Sequence, residues 1–417
     1  MNTILLIKQK TILLFVYIIL FHNVSWGQSL NYFLDKAHQQ NPAIQAVALS
    51  YEAALEKVPQ VGQLAQPTLG VGIPLLAPET RLGAQVLTLS AQQLFPWFGV
   101  RKAKKEVVLK LAKTQYEQII LTRLNLDFEL KRAFYKCYHI EKKEALLTKN
   151  HALFYALEQV VLAQVESGKA IASDALRVQL EREALAQEIK LLTNEKVAVH
   201  AVINALTNAP QNTPIQIDST TLQPAVPPMD WEQLVQKVNG HPTIKQFDWQ
   251  TERSQAALQL NSLEGKPSLG LGIDYSLIEP RTDAQPQYNG RDILMPKIKF
   301  SLPLYRKKIK AKKQEEELNQ KRYALEKEEG LNRLLSELKG YKAAFDAAVL
   351  RFELYEKQLQ LAQSSYQILL GAYSSEGMHF EELLALQRSL NDYELKRLKA
   401  IVDTHLATIN IERITNF

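Results

Sequence analysis

The chain has 417 residues, 46% hydrophobic and 23% charged, a balance that excludes a disordered or collagenous class. Net charge is +6, but Lys and Arg interleave with Glu and Asp along helical stretches, so no nucleic-acid partner is expected. The single cysteine, Cys137, excludes an intrachain disulfide and stands too far into the chain to carry an N-terminal lipid.

The first 27 residues read as a secretory signal (1–27). Lys8 and Lys10 precede the apolar run Thr11 to Phe21, and Ser25-Trp26-Gly27 offers small residues before Gln28. A retained anchor is the alternative, although the run is short for a spanning helix, which needs roughly 20 apolar residues.

The remainder is written twice. Asn41-Pro42-Ala43-Ile44 returns as His241-Pro242-Thr243-Ile244. Pro67-Thr68-Leu69-Gly70-Val71-Gly72-Ile73 returns as Pro267-Ser268-Leu269-Gly270-Leu271-Gly272-Ile273. Lys102-Ala103-Lys104-Lys105 returns as Lys310-Ala311-Lys312-Lys313. A repeat of this kind governs the whole fold assignment. We expect a first repeat over 28–208, a linker over 209–229 and a second repeat over 230–417.

In the first repeat a helix is expected over 30–60, with a break near Asn41 because Pro42 lacks an N–H and restricts the residue before it. Strands follow over 67–76 and 84–94, where Leu69, Val71, Ile73 and Leu75 alternate with smaller residues. Helices are expected over 100–166 and 173–206, the first free of Pro and Gly and ended before Gly168. Leu109, Ala112, Tyr116, Ile119, Leu126, Leu130, Ala133 and Cys137 read as one apolar face of the long helix.

The second repeat gives helix 231–261, strands 267–277 and 292–302, and helices 308–371 and 380–413. Helices so long cannot bury an apolar face inside a compact domain, and they must pack laterally and against other chains.

The strands have one apolar face and one small, polar or charged face, as a membrane barrel requires. Four strands cannot close a barrel, and an open edge in lipid leaves N–H and C=O groups without partners. Several chains must therefore combine, and three would give twelve strands. The expected fold is mainly α with a small β part: a duplicated helix, β-hairpin and long helical hairpin. Three such chains would form a trimeric 12-stranded transmembrane β-barrel continued by an α-helical coiled-coil barrel, which the resemblance given below would make periplasmic.

Phe95, Trp97 and Phe98 follow the second strand and suit either an aromatic girdle at a bilayer interface or a staple between strand and helix. Asp274, Lys297 and Lys299 fall on the polar strand face. They line a pore on one reading, and on the other the lysines snorkel near the barrel rim.

The order of these parts resembles the TolC-like outer membrane efflux proteins, over nearly the whole mature length. The resemblance rests on the duplication, on the Asn-Pro-Ala-Ile start at Asn41, and on Leu-Thr-Leu-Ser (87–90) and Phe-Ser-Leu-Pro-Leu (300–304) in the second strands. It rests also on the return-helix starts Ser173-Asp174-Ala175-Leu176 and Glu381-Glu382-Leu383-Leu384. Leu94-Phe95-Pro96-Trp97-Phe98-Gly99 looks most like the heavy-metal branch associated with RND pumps.

The resemblance implies a homotrimeric outer membrane channel of a Gram-negative bacterium, set in outer membrane lipid and extending into the periplasm. Its partners would be a periplasmic adaptor (membrane fusion) protein and an inner membrane pump of RND type. It implies a periplasmic gate in which Tyr373 takes part in closure. The basic partner position falls on Met378, so that lock is absent or differently made. One acidic ring position falls on Glu382 and the other on Ala385. Glu382 and Asp174 also read simply as acids favoured in the first turn of a helix. A type I secretion duct and a periplasmic coiled-coil scaffold are the alternatives.

No catalytic, cofactor or metal site is expected. Cys137-Tyr138-His139 diverge around a helix and read as core, and the eight histidines are scattered. His379, near the tip, is the one placed to meet a passing metal.

Overall fold

The computed structural model describes residues 28–218, 220–226, 229–376 and 379–416. The expected signal, 1–27, and Met378 lie outside the described residues.

The chain divides into two compact units, and each draws on both sequence repeats. One holds residues 123–230 and 337–416 with the N-terminal segment through Pro42, and the other holds 43–122 and 231–336. We call them the helical unit and the sheet unit.

In each repeat the first helix is broken at the residue before proline. Helix α1 spans Leu30–Gln40 and α2 spans Pro42–Val61. Asn41 between them has extended backbone, and its side-chain amide donates to the Leu206 carbonyl at 2.8 Å. The second copy is α5, Trp231–Val238, and α6, Pro242–Glu264, with His241 as the N-cap accepting from the Thr243 N–H at 3.2 Å. The break expected before Pro42 divides 30–60 into two helices, and Pro242 divides 231–261 in the same way.

The strands are β1 (Thr68–Gly72), β2 (Glu79–Thr80), β3 (Gly83–Phe95), β4 (Ser268–Pro280) and β5 (Ile293–Ser301). They form one antiparallel sheet in the order β1-β3-β4-β5, with the short β2 also on β3. The two hairpins thus join through β3 and β4, register Ser90 to Asp274. β1 stops at Gly72 rather than reaching residue 76, ahead of Pro74, which cannot donate to a ladder. Gly83 opens β3 with φ of +135°, and a Cβ there would sit 1.8 Å from the Glu279 carbonyl oxygen, so only glycine fits. Among the described residues β1 pairs only with β3 and β5 only with β4, leaving both outer edges open.

The long helices are α3 (Val100–Glu166), α4 (Ala172–Leu206), α7 (Arg306–Glu376) and α8 (Phe380–Thr415). α3 ends where Gly168 takes φ of +72° and the Lys169 N–H reaches back to the Gln164 carbonyl. α7 runs past Gly371 to Glu376, five residues beyond the expected end at 371.

Within the helical unit, Leu126, Ala133, Ile140, Leu147, Phe154 and Val161 of α3 are buried at strict seven-residue spacing. Val178, Leu185, Leu192 and Val199 do the same on α4. A sustained seven-residue period is the mark of coiled-coil packing. Leu109 and Tyr116, assigned to the same apolar face from the sequence, are instead exposed at 36% and 49%. Ion pairs flank the seams: Arg182 with Glu158 at 2.6 Å, Lys143 with Glu188 at 2.8 Å, Lys131 with Glu412 at 2.6 Å. The sheet unit has its own lock. The Trp249 indole N–H donates to Glu117 at 3.2 Å, under the Lys113 ammonium 4.1 Å from the ring centre.

The segment between the repeats is not a loose tether. Ile215 and Ile217 are buried, and the Gln28 N–H donates to the Gln216 carbonyl at 2.7 Å. The Leu222 N–H donates to the Tyr138 hydroxyl and the Ala225 N–H to the Thr404 hydroxyl, both at 2.9 Å. Among the described residues no helix is long and apolar enough to cross a membrane.

Candidate functional site

The sheet sorts its side chains by the two-residue period of a strand. One face carries Leu69, Val71, Leu89, Leu271, Ile273, Tyr275, Leu294, Ile298 and Phe300. Within one chain these are open to solvent, Leu69 at 82% and Phe300 at 70%. An exposed apolar surface of this extent needs a non-aqueous neighbour.

The other face is polar. Asp274 and Lys297 form an ion pair, and the Lys299 ammonium donates to the Gln92 side chain at 2.6 Å. Thr88 and Ser276 hydroxyls meet at 3.2 Å, and Gln85 donates to Ser276 at 2.9 Å. Gly70, Gly72 and Gly272 keep this surface low, so the charged side chains stand above it. Asp274, Lys297 and Lys299 therefore share one strip. Lys297 faces the Asp274 carboxylate, whereas Lys299 is held by a neutral amide.

At the helix-proximal end of the sheet, Phe95, Leu269 and Phe300 lie in register across three strands. Trp97 and Phe98 follow with rings edge-on at 6.1 Å, and Phe98 is 88% exposed. Tyr305, just before α7, is 90% exposed. The sequence singled out Phe95, Trp97 and Phe98; Phe300 and Tyr305 join them because register puts β5 beside β4.

The helical unit gathers a second cluster where α3 turns into α4 and α7 into α8. Tyr373 is fully buried, its ring centre 5.7 Å from that of Phe380. Its hydroxyl is buried without a hydrogen-bond partner. Burial, and then the nearby Asp174 charge, raise its pKa, so it is neutral at ordinary pH. Asp174 is itself buried, with Arg177 Nη1 3.9 Å away. Arg177 also pairs with Glu381. Glu382 is exposed and 3.3 Å from His379 Nδ1, on a residue with φ of +68°.

The sequence left the basic member of the lock unfilled, because its position falls on Met378. Position 378 lies outside the described residues, and a basic side chain comes from the other repeat, as Arg177. It engages carboxylates, not the Tyr373 hydroxyl. Arg177 was not singled out beforehand, and Glu381 entered only as part of a return-helix start. The signal available was their place within the first two turns of each return helix, where opposite charges can meet across a helix pair. Asp174 and Glu382 occupy corresponding places in the two repeats, yet one is buried and the other exposed, so the repeats are not equivalent here.

The folding units define a class: a duplicated β-hairpin and long helical hairpin whose strands merge into one sheet with open edges. Solved structures share it. The outer-membrane channel OprN superposes with a TM-score of 0.74 at 15% identity, covering 93% of this chain and 89% of that one. VceC, an outer membrane protein of Vibrio cholerae, gives 0.72 at 13% identity, with coverage of 93% and 95%. CusC, described in terms of folding and transmembrane channel formation, gives 0.73 at 14% identity, with coverage of 93% and 92%. No family model matches the sequence, and no curated protein does. At this identity the likeness is one of fold.

Proposed function

We propose that the chain is one subunit of a homotrimeric outer membrane channel. It would conduct substrates from an inner membrane pump, RND in type, and a periplasmic adaptor protein to the exterior. The observation that carries this reading is the sheet. It has an exposed apolar face, a polar face and two unpaired edges. Water would not tolerate the first at this extent, and lipid would not tolerate the last.

Both problems vanish if β1 of one copy pairs with β5 of the next. Three copies of β1, β3, β4 and β5 give an even, twelve-stranded barrel, with apolar side chains outward and the Asp274, Lys297 and Lys299 strip lining the pore. Phe95, Trp97 and Phe98 then sit at the lipid interface. The long helices would continue the conduit as a periplasmic tube. The cluster around Tyr373, Asp174 and Glu382 would close it. The solved channels of the same fold support this reading. Energy would come from the pump, because a conduit only gates and conducts.

The test is membrane fractionation of the expressed protein, with gel mobility before and after heating and conductance in planar bilayers. A heat-dissociable trimer in the outer membrane that forms pores is expected. A water-soluble monomer that never enters bilayers would overturn the proposal. Deleting the gene and challenging with metals, dyes, antibiotics and detergents would then identify the cargo.

A further inference from the structure

We propose that Cys137, Glu141 and His200 form a zinc-binding site that fastens α3 to α4 within the helical unit. The sequence pointed away from metal here, because Cys137, Tyr138 and His139 diverge around one helix. Folding supplies a different set. Cys137 and Glu141 stand one turn apart on the same face of α3. α4 brings His200 opposite them, and the three ligand atoms lie within 4.8 Å of one another. A second observation points the same way: His200 Nε2 is buried and has no hydrogen-bond partner. A nitrogen in that condition costs stability unless something occupies it.

The donor set selects the ion. Calcium and magnesium take oxygen ligands. Thiolate, imidazole and carboxylate together suit zinc, which accepts all three at roughly 2.0–2.3 Å. Tetrahedral ligands on such bonds stand roughly 3–4 Å apart, so small side-chain rotations close the set. Three protein ligands leave a fourth position for water.

The route in is the surface recess lined by Glu141, Lys196, Glu144 and the Ile215–Ile217 segment. Lys196 now sits 3.4 Å from Glu141 Oε1 and 3.9 Å from Glu144 Oε2. When zinc takes Glu141, Lys196 retains Glu144. The Cys137 thiol gives its proton to solvent as the sulfur–zinc bond forms, and the ion's charge offsets the cost of a buried thiolate. The site holds whether or not the chain conducts anything, because zinc there is a fastener and not cargo.

The experiment uses the purified full chain in detergent, stripped with chelator. Zinc is titrated by calorimetry, and cobalt is titrated as an optical probe. We expect one zinc per chain and a thiolate-to-cobalt charge-transfer band in the near ultraviolet. That band reports this site alone, because Cys137 is the only cysteine. Cys137→Ser and His200→Gln lose the binding event, and His139→Gln keeps it. An unchanged zinc stoichiometry in Cys137→Ser, or no cobalt band in the unmutated protein, overturns the proposal. The cobalt arm needs no variant, so a folding defect cannot mask the answer.

Discussion

Arg177, in the second turn of α4, pairs with Glu381, in the first turn of α8, and so ties the start of one return helix to the start of the other. Asp174 lies 3.9 Å from the same Arg177 nitrogen, Nη1. If this end closes the conduit, the pair is a latch between the two repeats. Exposed pairs contribute about 0–1 kcal/mol to stability, so Arg177→Ala should leave melting nearly unchanged. It should instead raise resting conductance and sensitise cells to large polar antibiotics. Arg177→Glu combined with Glu381→Arg should restore the closed state. Single-channel recording checks both, and equal resting conductance in all three proteins would remove Arg177 from the gate.

Tyr373 makes a separate test, because its hydroxyl is buried and unpartnered. An unsatisfied buried hydroxyl costs about 1–3 kcal/mol, and its removal without loss of shape recovers part of that. Tyr373→Phe should therefore be neutral or stabilising by about 1 kcal/mol, and Tyr373→Ala should destabilise by about 3–5 kcal/mol through loss of a buried ring. Thermal melts would decide. A clear loss of stability in Tyr373→Phe would mean that the hydroxyl has a partner in the assembled protein.

On the polar strip, Lys297 is matched by Asp274 and Lys299 is not matched by any charge in its hydrogen bond to Gln92. Removing the unmatched charge should matter more than the sequence alone suggests. Lys299→Gln should shift ion preference toward cations, and Asp274→Asn should shift it toward anions by freeing Lys297. Reversal potentials in a salt gradient measure both. Unchanged values in both variants would move these residues off the conduction path.

Much of this was legible because periodicity carried it. The switch from helical spacing to strict alternation at Leu69 and Leu269 marked the sheet, and Pro42 and Pro242 marked the joints before them. What stayed hidden depends on proximity between distant segments. Nothing in the sequence says that β3 and β4, from different repeats, lie side by side. The Arg177–Glu381 pair and the approach of His200 to Cys137 are hidden for the same reason. α7 continues through Gly371 because a glycine weakens a helix without obliging it to stop; unlike Gly168, Gly371 has no positive φ.

The apolar face of the sheet allows a contrast between adjacent residues. Ile298 is 65% exposed on the apolar face, and Lys297 and Lys299 flank it on the polar one. A charge on the lipid face of a barrel costs about 2–4 kcal/mol near the bilayer midplane and less toward the interfaces. Ile298→Arg should reduce the amount of heat-modifiable trimer recovered from membranes. Lys297→Arg, on the next residue, should leave it unchanged. Equal yields of the two would argue that Ile298 does not meet lipid.

Cys137 gives the pH dependence with the clearest sign. Burial, reinforced by the Glu141 charge, pushes its thiol up from 9.0 to about 12. Unfolding exposes the thiol, which then loses its proton near pH 9, while the folded thiol holds its own to about 12. The unfolded state therefore binds fewer protons across that interval, and stability falls as pH rises through it, by roughly 1 kcal/mol per pH unit. Below pH 9 both states are protonated and the contribution is flat. Cys137→Ala creates a small cavity but lacks the titration. Its stability relative to the unmutated, zinc-free protein should hold constant up to pH 9 and then improve steadily toward pH 12. Urea melts of the two proteins at matched pH read that difference directly. A difference that does not change with pH would mean that the thiol is already ionised or already exposed in the folded chain.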